Sequence, residues 1–208
     1  MITKFRKSDV ISSIALGEII SIFIILILKN LEGNVPTLEI FMNFKWLILL
    51  ILPVLATSGV YVAFILGKTH HVFFQFGKFI TIGVSNTAID FGILNLLIFL
   101  TEVKSGYLYS IFKAASFIIA ITNSYLWNRF WTFENPETNE RGKQLFKFVA
   151  VTGVGFIINV SVASFVVNVI EPVAGISPVL WANVGALVSL VFSVLWDFLG
   201  FKFIVFKK

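Results

Sequence analysis

Six stretches of mainly apolar residues dominate the chain, at roughly 10–28, 46–66, 79–100, 107–127, 148–170 and 179–201. A helix needs about 20 such residues to cross the hydrocarbon core of a bilayer. Segments of this length that are apolar throughout exclude the alternating strands of a membrane barrel. The 208 residues are 58% hydrophobic and 13% charged, whereas a soluble domain carries about 25% charged residues. So little charge cannot cover a surface that faces water. The expected fold is all-α: a polytopic integral membrane protein with six transmembrane helices. Lys4, Arg6 and Lys7 precede the apolar run IISIFIILIL, but Glu18 interrupts the approach and no small-x-small cleavage site follows Leu28. That start reads as an uncleaved first membrane helix rather than a signal peptide.

Orientation follows from the basic residues. One face collects Lys4, Arg6, Lys7, Lys68, Lys78, Arg129, Arg141, Lys143, Lys147, Lys202, Lys207 and Lys208, and the other collects Lys29, Lys45, Lys104 and Lys113. The richer face is expected to be cytoplasmic. Six spans place both termini on that face, so count and charge agree on a multi-pass protein of the cell membrane with cytoplasmic N- and C-termini. The net charge of +5 is explained by this bias, and no nucleic-acid partner is expected. The absence of Cys excludes disulfides and thiolate metal sites. His70 and His71 are adjacent and lack the spacing of about three or four that a helical metal pair needs. They read as juxtamembrane residues, and no metal or other cofactor is expected. No phosphate-cradling loop, H-E-x-x-H motif or nucleophile with a nearby base occurs, so the chain does not read as an enzyme.

The chain repeats itself. QFGKFITIGVSNTAIDF (75–91) aligns with QLFKFVAVTGVGFIINV (144–160), pairing Gln75 with Gln144, Lys78 with Lys147, Phe79 with Phe148 and Asp90 with Asn159. After a short insertion, RFWTF (129–133) aligns with KFIVF (202–206), which pairs Ser116 with Ser189 and Ala120 with Ser193. Each half, about 75–133 and 144–206, is then a helix pair that enters from the cytoplasm and returns to it. Two such pairs in tandem make a four-helix core related by an axis along the membrane normal. Residues 1–72 form an N-terminal two-helix extension, and 73–208 the four-helix domain. Small residues mark packing faces: Ser116, Ala120 and Asn123 on the fourth helix, and Ala182, Ala186, Ser189 and Ser193 on the sixth.

KFITIGVSNTAIDFGILNLLIFL, then NSYLWNRFWTF, then KFVAVTGVGFIIN together resemble the GtrA-like membrane family. The same four-helix module is similar to the membrane domain of some dolichyl-phosphate-mannose synthases. The resemblance covers about 75–206 and rests on Lys78, Phe79, Gly83, Asn86, Asp90, Phe91, Asn128, Arg129, Trp131, Thr132 and Phe133. It implies translocation of a polyprenyl-phosphate-linked sugar across the cytoplasmic membrane for cell-surface polysaccharide synthesis or glycosylation. The sugar lipid would come from a separate glycosyltransferase, since none is fused here. Lys202 and Ile204 stand in the second half where the first has Arg129 and Trp131, a departure from the motif. Two alternatives stay open: a non-transporting membrane subunit that recruits or stabilises a glycosyltransferase, and a small proton-coupled exporter. A homo-oligomer is expected of so small a transporter.

Candidate site residues fall into three groups. Arg129, Lys78, Lys147 and Lys202 are expected at one depth, where they could bind a lipid phosphate; a guanidinium offers a planar fork of donors for it. The bland reading of Arg129 is an anchor snorkelling to headgroups. Asn86, Asp90, Asn123, Asn128, Asn159 and Asp197 are polar groups in apolar runs. They serve either as clamps between helices or as a lining for sugar hydroxyls, because unpaired polar groups in hydrocarbon cost several kcal/mol. An acid such as Asp90 near the bilayer centre costs about 2.5–3.5 kcal/mol on insertion scales, so it should face the interior or a groove. Asp197 is expected to pair with a basic neighbour, Lys113 to snorkel outward, and Glu18 to face Lys113, the interior or no identifiable partner; Asn168 is one more such group. Trp127, Trp131 and Trp196 read as interface aromatics among the membrane lipids.

Overall fold

A computed structural model describes residues 4–31, 43–103, 106–134, 141–170 and 178–207. The side chains of Lys113, Asn168, Ala182 and Ala186, and most of the loop expected at 134–143, lie outside the described residues. All regular structure among those described is helical. The long helices are α1 (Lys7–Leu31), α2 (Lys45–Gly67), α3 (His71–Thr101), α4 (Gly106–Trp127), α5 (Arg141–Val169) and α6 (Pro178–Gly200). They correspond to the six apolar stretches but overrun them, most clearly where α3 starts at His71 and α5 at Arg141. Hydropathy marks only the apolar part of a helix. Gln75, Lys78, Lys143 and Gln144 are good helix formers and extend it into the polar flank.

Four helical segments among the described residues are long and apolar enough to cross a membrane: Lys7–Lys29, Lys45–Gly67, His71–Thr101 and Val188–Val205. Large apolar side chains such as Trp46, Leu50, Val54, Phe156 and Phe192 stand exposed along the helices. An exposed apolar surface of that extent marks contact with lipid rather than water. The chain is a membrane protein.

The chain divides into two compact units, Met1–Glu134 and Asn135–Lys208. In the first, α1 packs on α2 and α3, α2 on α3, and α3 on α4. The N-terminal pair is therefore built into the first unit, lying against α3. Small residues at helical spacing let α1 and α2 approach. Ser13 Oγ lies 3.1 Å from Thr57 Oγ1, and Ser21 Oγ donates to the Ile48 carbonyl at 3.1 Å as well as to Gly17 at 2.8 Å. Between them a Cβ on Gly17 would overlap the backbone of Pro53, so only glycine lets the helices cross this closely. The apolar core joins Leu16, Val60, Ala63, Phe64, Phe74, Ile82 and Trp131. Phe5 closes it by packing on Tyr61, Phe64 and Phe74 with centroids 5.3–6.3 Å apart.

In the second unit α5 packs on α6. Phe148 stacks on Phe201 at 4.4 Å, and Trp196 Nε1 donates to the Val151 carbonyl at 3.0 Å. Both units end alike. A π-helical turn, Asn128–Thr132, continues α4, and another, Phe201–Val205, continues α6. Each is closed by a five-residue hydrogen bond, Phe133 N–H to the Asn128 carbonyl at 2.9 Å and Phe206 N–H to the Phe201 carbonyl at 2.8 Å. The repeat alignment pairs Asn128 with Phe201 and Phe133 with Phe206, so both halves of the sequence build the same rare terminus. Such turns are uncommon and occur disproportionately at functional sites.

Candidate functional site

The first unit buries a cluster of charges where the start of α1 meets α3 and the π turn after α4. Its centre is Asp9. α1 begins at Lys7, which makes Arg6 the cap and Asp9 the third helical residue, so its carboxylate reaches back to the Arg6 backbone N–H at 3.1 Å. This is one half of a capping box, and it fixes the carboxylate before tertiary contacts form. Lys78 Nζ then pairs with Asp9 Oδ1 at 2.6 Å, with the two side chains 2% and 0% exposed. Trp131 Nε1 donates to the same oxygen at 3.1 Å. The Arg6 guanidinium holds the other oxygen at 3.3 Å and also pairs with Glu134.

Further contacts surround Lys78, among them Glu134 Oε1 at 3.8 Å. Its ammonium donates to the Trp131 carbonyl at 3.3 Å, and it lies 4.3 Å from the Phe74 ring centroid and 5.2 Å from that of Trp131. A desolvated cation over aromatic faces gains a cation–π interaction. Two cations and two carboxylates balance, as burial requires. Only the outer pair is open, with Arg6 48% and Glu134 43% exposed. Desolvation pushes the Glu134 carboxyl up, but the hydrogen bond and charge of Arg6, aided by Lys78, outweigh it and hold it below its ordinary value. Arg6 is held further protonated, first by its hydrogen bond to Glu134. Glu134 also sits at φ 49°, a left-handed backbone that an L-residue adopts only where its surroundings hold it.

Trp131 thus departs from the sequence expectation, and Lys78 has a partner the sequence alone does not announce. Lys78 is enclosed with an acid of α1, and Trp131 is in the core instead of at the interface. Asp9 itself was not singled out. Lying among Lys4, Arg6 and Lys7, it looks like an acid at a helix start, and its partners besides Arg6, namely Lys78 and Trp131, lie far on in the sequence. A carboxylate at the third position of an otherwise basic helix start is the signal that was available.

A polar ladder runs along α3 and α4. Asn123 Nδ2 donates to Asn86 Oδ1 at 2.7 Å, and Ser116 Oγ donates to Asp90 Oδ1 at 2.6 Å. These bonds join the two helices at points about one turn apart on α3 and about two turns apart on α4. At the π turn, Arg129 is buried, its Nη1 donating to Tyr125 Oη at 3.1 Å and its guanidinium lying 5.3 Å from the Phe130 centroid. Asn128 Nδ2 donates to the Ser124 carbonyl at 2.9 Å, while its buried Oδ1 has no hydrogen-bond partner among the described residues. Trp127 meets Trp131 edge-on at 5.9 Å.

The model of the GtrA/DPMS transmembrane domain family matches residues 78–206. The chain belongs to this family. Lys78 is the first residue of the match, so the acid that neutralises it comes from a helix outside the GtrA/DPMS domain. An uncharacterised membrane protein of Bacillus subtilis (strain 168), YngA, is 38% identical over 86 residues, 39% of this chain and 54% of that relative. The chain thus spans about half the length of the relative. No solved structure matches.

The second half of the GtrA/DPMS domain varies the same theme. Asn159, aligned with Asp90, donates through Nδ2 to Ser193 Oγ at 3.2 Å. Its partner is one turn beyond Ser189, the residue aligned with Ser116. Gly155 stands where the first half has Asn86, and a Cβ there would overlap the carboxylate of Asp197. Asp197 Oδ1 is buried without a hydrogen-bond partner among the described residues. Lys147 and Lys202, both half-buried, follow in sequence the aromatic residues Phe146 and Phe201; Lys202 Nζ lies 5.4 Å from the Phe203 centroid. Trp196 is half-buried and bonded to α5. Among the described residues no group of His and carboxylates could hold a metal.

Proposed function

We propose that this protein moves a polyprenyl-phosphate-linked sugar across the cell membrane, with all six helices spanning it and both termini cytoplasmic. A separate glycosyltransferase supplies the lipid-linked sugar. The observation that carries the reading is the match to the GtrA/DPMS transmembrane domain, whose motif residues here put Arg129 and Lys78 at the end of a hydrogen-bonding ladder. Basic side chains at that end suit a lipid phosphate. The ladder of Asn86, Asn123, Asp90 and Ser116 offers both donors and acceptors, which sugar hydroxyls need in a medium without water. Lys147 and Lys202 serve the second half in the same way, with Asn159 and Asp197 as its polar groups.

The test is reconstitution in liposomes with a fluorescent polyprenyl-phosphate sugar. The protein accelerates its crossing over empty liposomes, and Arg129→Ala, folded by its melting profile, slows it at least tenfold. A rate equal to that of empty liposomes would overturn the transport reading. It would favour a second one, a membrane subunit for a glycosyltransferase, for which the mutual pairing of the first unit's buried charges speaks.

A further inference from the structure

The Asp9 carboxylate is held as a bound anion would be. Lys78 Nζ at 2.6 Å and Trp131 Nε1 at 3.1 Å converge on one oxygen, and Arg6 takes the other through its backbone N–H and its guanidinium. An ammonium, an indole N–H and a guanidinium are donors without acceptor capacity. Together they make a cradle for any oxyanion, and the chain fills it with its own acid. The cradle draws Lys78 and Trp131 from the family domain, whereas Asp9 comes from α1, outside the matched residues 78–206.

We propose that Asp9 is an internal stand-in for a lipid phosphate, so that the headgroup binds Lys78 and Trp131 by displacing it. This rests on the lipid-phosphate reading above and adds how the site is regulated. The geometry supplies the route. Arg6 and Glu134, each about half exposed, are the outer wall of the cluster; Asp9 is in the first turn of α1 and Arg6 caps it. Fraying of that turn uncovers Lys78 without disturbing α3. With Asp9 in place the cluster is neutral. With Asp9 withdrawn, Lys78 keeps only the half-exposed Glu134 carboxylate, 3.8 Å away, and an anion relieves the rest of its desolvation. A phosphate offers the same oxygen acceptors and more charge. α1 then acts as a latch that keeps the site shut until an anionic headgroup competes for it.

The experiment uses the full chain in phosphatidylcholine nanodiscs, titrated with farnesyl phosphate and, as a neutral control, farnesol. Asp9→Asn tightens farnesyl phosphate binding about tenfold, the gain for a site otherwise open in about a tenth of molecules. Adding Lys78→Met removes the gain, and farnesol shows neither effect. In the unsubstituted protein labelled with 15N-tryptophan, the Trp131 indole resonance, assigned by Trp131→Phe, moves on saturation. That second readout decides the matter even where Asp9→Asn fails to fold. Equal or weaker binding by a folded Asp9→Asn protein, or an unmoved Trp131 resonance at saturation, overturns the latch and leaves the phosphate reading to other cations. Binding by neither protein overturns both. Displacement by inorganic phosphate but not by farnesyl phosphate overturns the assignment of the anion to a lipid.

Discussion

Ser116 Oγ donates to Asp90 Oδ1 across α3 and α4 at 2.6 Å. An acid inside an apolar helix thereby faces a neighbouring helix, where a hydroxyl offsets part of its desolvation. The aligned pair in the second half uses an amide, Asn159, on a serine, Ser193. The feature common to both is a carboxylate or amide meeting a hydroxyl; a negative charge is not shared by the two pairs.

Asp90→Asn should therefore be tolerated. Its carbonyl still accepts from Ser116, so the melting temperature in detergent stays within a few degrees and sugar-lipid crossing persists. Asp90→Leu leaves Ser116 without this partner and costs about 0.6–1.7 kcal/mol, the range for such bonds between membrane helices. A collapse of transport in Asp90→Asn, with the fold intact, would instead point to proton coupling.

The pair of Lys78 and Asp9 gives a larger effect. Asp9→Ala takes from a buried ammonium its closest counter-charge, leaving Glu134 at 3.8 Å, and should destabilise the first unit by about 3 kcal/mol. Replacing both residues, Asp9→Ala with Lys78→Met, should recover much of that loss. Chemical denaturation of the four proteins forms a double-mutant cycle, and additivity would show that the pair is not coupled.

Acid should loosen the outer wall of the cluster. Glu134 titrates below its ordinary value because Arg6 and Lys78 favour its charged form over the opposing desolvation. A carboxylate lowered on folding stabilises above the unfolded value, about 4.3, and that contribution disappears as pH falls through the lower folded value. The melting temperature should fall in this window below about pH 4.3, and Glu134→Gln should flatten that part of the curve. An unchanged profile in Glu134→Gln would place the acid sensitivity elsewhere.

Gly155 and Gly153 make a matched comparison on α5. A Cβ on Gly155 would overlap the Asp197 carboxylate, whereas one on Gly153 meets nothing within 4 Å. Gly155→Ala should cost about 1–3 kcal/mol through overpacking. Gly153→Ala should be neutral or stabilising by up to about 1 kcal/mol through helix propensity. Thermal melting of both proteins checks the contrast, and equal effects would show that α6 gives way at Asp197.

The six helices were legible because an unbroken apolar run of this length has few other ways to satisfy its backbone. The sequence also aligns 129–133 with 202–206, and a π turn stands at each place, Asn128–Thr132 and Phe201–Val205. Asn86, Asp90 and Asn159 stood out as polar groups in apolar surroundings. Asp9 did not, since a charge at a helix start among other charges is unremarkable until something covers it. Trp131 misled for a related reason. Tryptophan near a helix end usually marks an interface, and only the packing of α1 turned that end into an interior.

Composition and periodicity determined that this chain is helical, lives in lipid and carries two similar stretches of sequence, at about 75–133 and 144–206. Those properties follow from local rules, since backbone hydrogen bonds in hydrocarbon must close within a segment. Tertiary structure decided which charges meet. Asp9 and Lys78 are far apart in sequence, and their pairing depends on α1 crossing α2 at Gly17 and reaching α3, a contact that no single segment encodes. Burial then turned an ordinary lysine and an ordinary aspartate into one neutral unit, because in a medium of low dielectric a charge persists only beside its opposite.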